Sequence, residues 1–154
     1  MNFERFETLR TSMLNLMFVF FEKPDHTNKR LILAQLEGME EELLSTKEGE
    51  EGRISGDDLS HAEIALSDLQ SSLATCEGES ATQKQIKELR NSLRNFLSEC
   101  KIIELKTKGM KIDSEKWRER RRREKKEEEK EEKISPGEIF KGMTQPGSSE
   151  EKEF

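Results

Sequence analysis

Apolar side chains recur through the first 110 residues with the period of an α-helix. Phe6, Leu9, Met13, Leu16 and Phe20 succeed one another at steps of three, four, three and four, which brings all five to one side of a helix. Pro24 ends that run. Asp25 or Thr27 is placed to cap a second helix, in which Ile32, Leu36, Met39 and Leu43 repeat the spacing up to the glycine-bearing break KEGEEGRISG. Ser55 or Asp57 can cap a third, whose Leu59, Ala62, Leu66, Leu69, Leu73 and Cys76 keep a heptad stripe until CEGES interrupts it. From near Ser80 a fourth carries Ile86, Leu89, Leu93, Phe96, Cys100 and Ile103 at the same alternation and stops at Gly109. Strand signals are almost absent.

This pattern predicts an all-α fold, either a four-helix bundle or paired helical hairpins with coiled-coil character. The stripe on the third and fourth helices is narrow, two apolar positions per heptad, which favours their pairing as an antiparallel hairpin. The first helix is wider, because Leu14, Met17, Phe18, Val19 and Phe21 add apolar surface outside its stripe. Such a surface requires cover from the rest of the bundle, from a second copy of the chain or from a membrane surface. The expected self-association or partner surface is therefore Phe6, Leu9, Met13, Leu16, Phe18, Phe20 and Phe21 on the first helix, with Leu66, Leu69, Leu73, Leu89, Leu93 and Phe96 on the later pair. Leu9, Met13, Leu16 and Phe18 also match the hydrophobic spacing of a leucine-rich nuclear export signal, which makes an export receptor a candidate partner.

A membrane is the weakest cover. The run from Met13 to Phe21 is too short to span a bilayer, and Glu4, Glu7 and Glu22 leave little basic character for anionic lipid. Glu4 and Glu7 also stand where a secretory signal needs positive charge. The expectation is an intracellular protein, nuclear and/or cytoplasmic, with no membrane span.

Composition changes the picture near the C-terminus. With 31% hydrophobic and 39% charged residues the chain has material for one modest core and a stretch without one. Its net charge of -6 argues against a protein that coats nucleic acid over its whole surface, but it averages two blocks of opposite sign. From Lys116 to Lys126 there are eight basic and two acidic residues, a local net of +6, and EEEKEEK comes directly after. Arg120 to Arg123 point around the full circumference of a helix, so exposure is expected on every side.

Guanidinium groups fork onto phosphate oxygens and stack on unpaired bases, and each neutralised phosphate releases counterions. Lys116, Trp117, Arg118, Arg120, Arg121, Arg122, Arg123, Lys125 and Lys126 are thus the candidate residues for RNA binding or for a nuclear import receptor. Trp117, the single tryptophan, is placed to stack on a base. The stretch WRERRRR resembles the arginine-rich helix of lentiviral Rev proteins over these residues alone, and that resemblance implies that such a composition can bind RNA. The competing expectation is a solvated spacer helix, held by the i,i+4 pairs Glu119 with Arg123, Lys125 with Glu129 and Glu129 with Lys133.

Special chemistry is scarce elsewhere. Cys76 and Cys100 fall in helical segments without a second ligand at metal spacing, and His26 and His61 stand at helix starts, where polar capping accounts for them. No glycine-rich phosphate loop, HExxH or CxxC is present, and the acids are expected on solvent faces or in the tail. The expectation is a protein that is not an enzyme and uses no cofactor or metal. It divides into a helical bundle over 1–110, a charged helix over 111–133 and a disordered tail over 134–154, where Ile139, Phe140 and Met143 form a brief apolar patch and Ser135 precedes Pro136. That layout suits a helical regulatory protein, such as a viral accessory protein, that self-associates and uses its arginines for RNA or nuclear import. The alternative is a coiled-coil adaptor whose bundle binds a partner protein while the charged segment is a spacer.

Overall fold

The computed structural model describes residues 1–46, 54–76 and 81–132, with side chains as far as 127. The glycine-rich break over 47–53, the CEGES interruption beyond Cys76 and the tail from 133, with Ser135, Pro136, Ile139, Phe140 and Met143, lie outside the described residues. Among the described residues the chain is helical and contains no strand. None of its helices is long and apolar enough to cross a membrane.

Among the described residues five helices occur in order: α1 over Phe3–Glu22, α2 over His26–Ser45, α3 over Gly56–Thr75, α4 over Gln83–Thr107 and α5 over Ser114–Glu132. Side chains at their starts take up backbone N–H groups that have no partner within the helix. Asn2 accepts from Arg5, Asp25 from Asn28 and Ser55 from Asp58. The fourth start is at Thr82, later than the Ser80 region the sequence suggests. There Thr82 and Gln85 form a reciprocal capping box, with hydrogen bonds of 3.1 and 3.0 Å. Gly109 ends α4 at a φ of 91°, where its N–H reaches Lys106 O and that of Met110 reaches Leu105 O, the paired closure that a left-handed residue allows.

The chain forms two compact units, Met1–Ile112 and Asp113–Phe154. In the first, α1 packs on α2, α2 on α3 and α3 on α4, and all four helices contribute to a common hydrophobic core. The periodic positions of α2 and α3 are all buried, and Phe6, Met13 and Phe20 of α1 join Leu89, Phe96, Cys100 and Ile103 of α4. Each leucine, isoleucine, methionine or phenylalanine among them contributes roughly 1.5–3 kcal/mol by leaving water. Met17, Ala65 and Ile102 are buried outside the expected stripes.

Close approach of α1 and α2 depends on Gly38, which is buried: a Cβ there would lie 3.0 Å from Leu9 Cδ1. Beside it Arg5 pairs with Glu42 at 2.5 Å, and Glu42 also accepts the backbone N–H of Asn2 at 2.8 Å. The Asn2 N–H and the Arg5 guanidinium hold the Glu42 carboxyl below its ordinary value.

Polar contacts fasten the other helices. Lys29 of α2 donates to the carbonyls of Ala74 and Cys76 at the end of α3, at 2.9 and 2.6 Å, which suits the negative end of a helix. The hydroxyls of Ser72 and Ser92 join α3 to α4 at 2.7 Å, and Lys106 pairs with buried Asp58. Arg10 of α1 reaches Glu104 of α4 at 3.3 Å.

The expectation that the acids occupy solvent faces fails at Asp58, Glu99 and Glu104, all of which are buried. For Asp58 and Glu104 the reason is an opposite charge from another helix, which offsets desolvation.

Candidate nucleic-acid interface

Helix α5 needs no apolar stripe to form. Asp113 precedes it, and its Oδ1 accepts the N–H of Lys116 at 3.2 Å while its carbonyl accepts that of Trp117 at 3.1 Å. Arginine, lysine and glutamate, which make up most of the helix, are good helix formers with little rotamer loss.

The helix nevertheless has two faces. Ser114, Trp117, Arg118 and Arg121, separated by steps of three, one and three, are the sheltered residues of its described part. Arg118 is only 1% exposed, and its Nη1 donates to Glu115 Oε1 at 3.2 Å. The expectation of exposure on every side is therefore corrected at Arg118. A long aliphatic stem and a planar guanidinium let arginine be enclosed while it stays ion-paired, whereas counting charges around a helix treats every arginine as fully hydrated.

Lys116, Arg120, Arg122, Arg123, Lys125 and Lys126 are exposed, and Arg121 and Trp117 are half-buried. Lys116, Arg120 and Arg123 recur at steps of four and three on the side away from Arg118. Between Lys116 and Lys126, six of the eight cations and both acids, Glu119 and Glu124, face solvent, a net of four positive charges where the sequence count is six. Guanidinium groups in general can take phosphate oxygens by forked hydrogen bonds, and a cluster of like charge attracts a polyanion before contact.

The residues expected to serve self-association are distributed differently. Phe6, Met13, Phe20, Leu66, Leu69, Leu73, Leu89 and Phe96 are buried in the core of the first unit, and Leu9, Leu16, Phe21 and Leu93 pack partly buried against it. The chain's own core thus covers twelve of the thirteen, and Phe18 alone is exposed, at 70%. Of the export-signal positions Met13 is fully buried and Leu9 and Leu16 are half-buried, so the folded α1 presents only Phe18.

Neither cysteine is a reactive thiol in this fold. Burial pushes the Cys100 thiol far above its ordinary value and raises that of Cys76, against which the nearby Lys29 charge acts weakly. His61 Nδ1 lies 2.9 Å from Asp57 O, a local contact within α3, and His26 is the exposed first residue of α2.

Sequence reasoning passed over the bases of α4. Lys84, Lys87, Arg90, Arg94 and Lys101 are exposed along that helix, and the signal that could have found them is their place on the polar side of its heptads. No family model, curated protein or solved structure matches this chain.

Proposed function

We propose that the chain is a non-enzymatic, all-helical regulatory protein that binds RNA through the exposed face of α5, with α1–α4 as a four-helix bundle. The observation that carries the reading is the exposure of Arg120, Arg122 and Arg123 together with Lys116, Lys125 and Lys126 on one helix. Arginine contacts of this kind suit a distorted or single-stranded RNA, since a regular A-form major groove is too narrow for side chains. The same cations suit a nuclear import receptor, which gives the protein a nuclear as well as a cytoplasmic role. A viral accessory protein is the setting in which such a layout is most useful, and self-association would multiply weak contacts by avidity.

The test is fluorescence anisotropy of the full chain with a structured RNA and a random single strand, across a salt series, with Trp117 emission recorded alongside. The expected result is affinity that persists at physiological salt, a shift in Trp117 emission, and a loss of about tenfold or more on changing Arg120, Arg122 and Arg123 together to alanine. Undiminished binding by that variant would show that α5 is not the site.

A second reading, of a partner-binding adaptor, draws on neighbouring Phe18 and Val19, 70% and 47% exposed on α1. In that case Phe18→Glu abolishes capture of a protein partner from cell extract without unfolding the chain. Capture that tolerates the change removes the adaptor surface.

A further inference from the structure

Helix α4 sorts its charges between inside and outside. Of its three acids, Glu99 and Glu104 are buried and only Glu88 is exposed, whereas Lys84, Lys87, Arg90, Arg94 and Lys101 are all exposed. Its sixth cation, Lys106, is turned to the buried Asp58, and Lys108 stands exposed in the terminal turn. At 3.6 residues per turn the five exposed bases fall within roughly a third of the helix circumference, and Glu88 falls outside that arc. From Lys84 to Lys101 the ridge extends about 25 Å along the axis. Asn91 and Ser98, half-exposed, lie between the bases on the same side. In a chain whose net charge is -6, this is a local reversal of sign.

Neighbouring groups hold parts of the ridge in place. The Arg90 guanidinium lies 5.2 Å from the centre of the Phe21 ring, and Lys101 and Lys108 approach Glu104 Oε2 at 3.6 and 3.1 Å. Glu104 is itself shared with Arg10, so one mostly buried carboxylate stands against three cations.

We infer that this face of α4 is a second phosphate-contacting surface, which takes the sugar–phosphate backbone of RNA. The inference rests on the proposed RNA binding by α5 and extends it to a different helix. Three features favour RNA over an acidic protein. The exposed charge is of one sign over the whole arc. Asn91 and Ser98 supply the neutral donors that commonly accompany lysine and arginine on phosphate oxygens. A protein interface needs apolar or aromatic anchors at its centre, and none of the exposed large hydrophobic residues belongs to α4.

The deciding experiment uses the full chain, the same structured RNA and two variants. One changes Lys84, Lys87, Arg94 and Lys101 to glutamine, and the other changes Arg120, Arg122 and Arg123 to alanine. The α4 variant is expected to keep the helical circular dichroism and urea midpoint of the unaltered chain. It should bind RNA about tenfold or more weakly at low salt, with the slope of log affinity against log salt reduced by about two to three, as the loss of several phosphate contacts requires. Unchanged affinity and slope would overturn the ridge while leaving α5 in place. Loss in the α4 variant with none in the α5 variant would keep the ridge and overturn the α5 assignment. No RNA binding by the unaltered chain would overturn both. Displacement of the RNA by polyglutamate at equal charge concentration would overturn the ridge as an RNA site and make it a surface for acidic protein.

Discussion

Helices α3 and α5 are nearly equal in length, 20 and 19 residues, yet they are helical for different reasons. In α3 the sheltered side is Leu59, Ala62, Ala65, Leu66, Leu69 and Leu73, and its stability comes from shared burial with neighbouring helices. In α5 the sheltered side is Ser114, Trp117, Arg118 and Arg121, while the rest of the turn is charged and wet. One helix is made by its surroundings. The other is made by propensity and local charge, and so keeps most of its circumference available for a ligand.

That contrast is open to measurement, beginning with the largest effect. Phe96→Ala is expected to cost about 3–5 kcal/mol in urea unfolding, because a fully buried ring leaves a cavity in the shared core. Arg122→Ala and Arg123→Ala should each stay within about 0.5 kcal/mol. Equal costs at the two places would erase the distinction between the helices.

A smaller effect separates the helix starts. Thr82→Ala removes half of the capping box of α4 and should cost about 1 kcal/mol. Gln83→Ala, at an exposed position outside that box, should cost less than about 0.5 kcal/mol in the same assay.

Acid provides a further test of the core unit. Burial raises the Glu104 carboxyl, but the hydrogen bonds from Lys108 and Arg10 outweigh it and leave the group below its ordinary value of 4.5. A carboxyl depressed on folding contributes stability that is complete above about 4.5 and is lost as pH falls through the lowered value. The urea midpoint should therefore decline on going from pH 6 to pH 3, and the decline should be shallower in Glu104→Gln. An equally steep decline in that variant would place the acid sensitivity in other carboxyls.

The finest distinction lies within α5. Arg118→Ala should shift Trp117 emission to the red in the free protein, since it opens the sheltered side of α5 on which the half-buried tryptophan lies. Arg122→Ala, at an exposed position, should leave the emission unchanged. Identical spectra for the two would mean that α5 has no sheltered side.

These particulars show where a sequence is readable. Leu36, Leu66 and Phe96 announce their burial by periodicity, because an apolar residue needs only to be on the right side of its own helix. Arg118, Asp58 and Glu104 announce nothing of the kind. Glu104 is buried against Arg10, 94 residues away, and Asp58 against Lys106, 48 residues away, so their placement depends on partners that no local window contains. The candidate interface divides in the same way. The composition of α5 names its arginines, whereas which of them face outward, and the fact that α4 hides two acids and displays five bases, emerge only from the folded arrangement.

Gly38 has a consequence for how this chain tolerates change. Glycine inside a helix is disfavoured by about 1 kcal/mol relative to alanine, so replacing it with alanine looks like an improvement by local rules. Here the added methyl would press on Leu9 and lie 3.5 Å from Arg5 Nη2, in the guanidinium whose Nη1 reaches Gly38 O at 3.5 Å and pairs with Glu42. A single carbon at position 38 would thus require the end of the Leu9 side chain to give way by a few tenths of an ångström, while it stood in ordinary contact with Arg5. Whether the substitution helps or harms is therefore set by the freedom of a leucine on the neighbouring helix and not by the propensities of the helix that carries it.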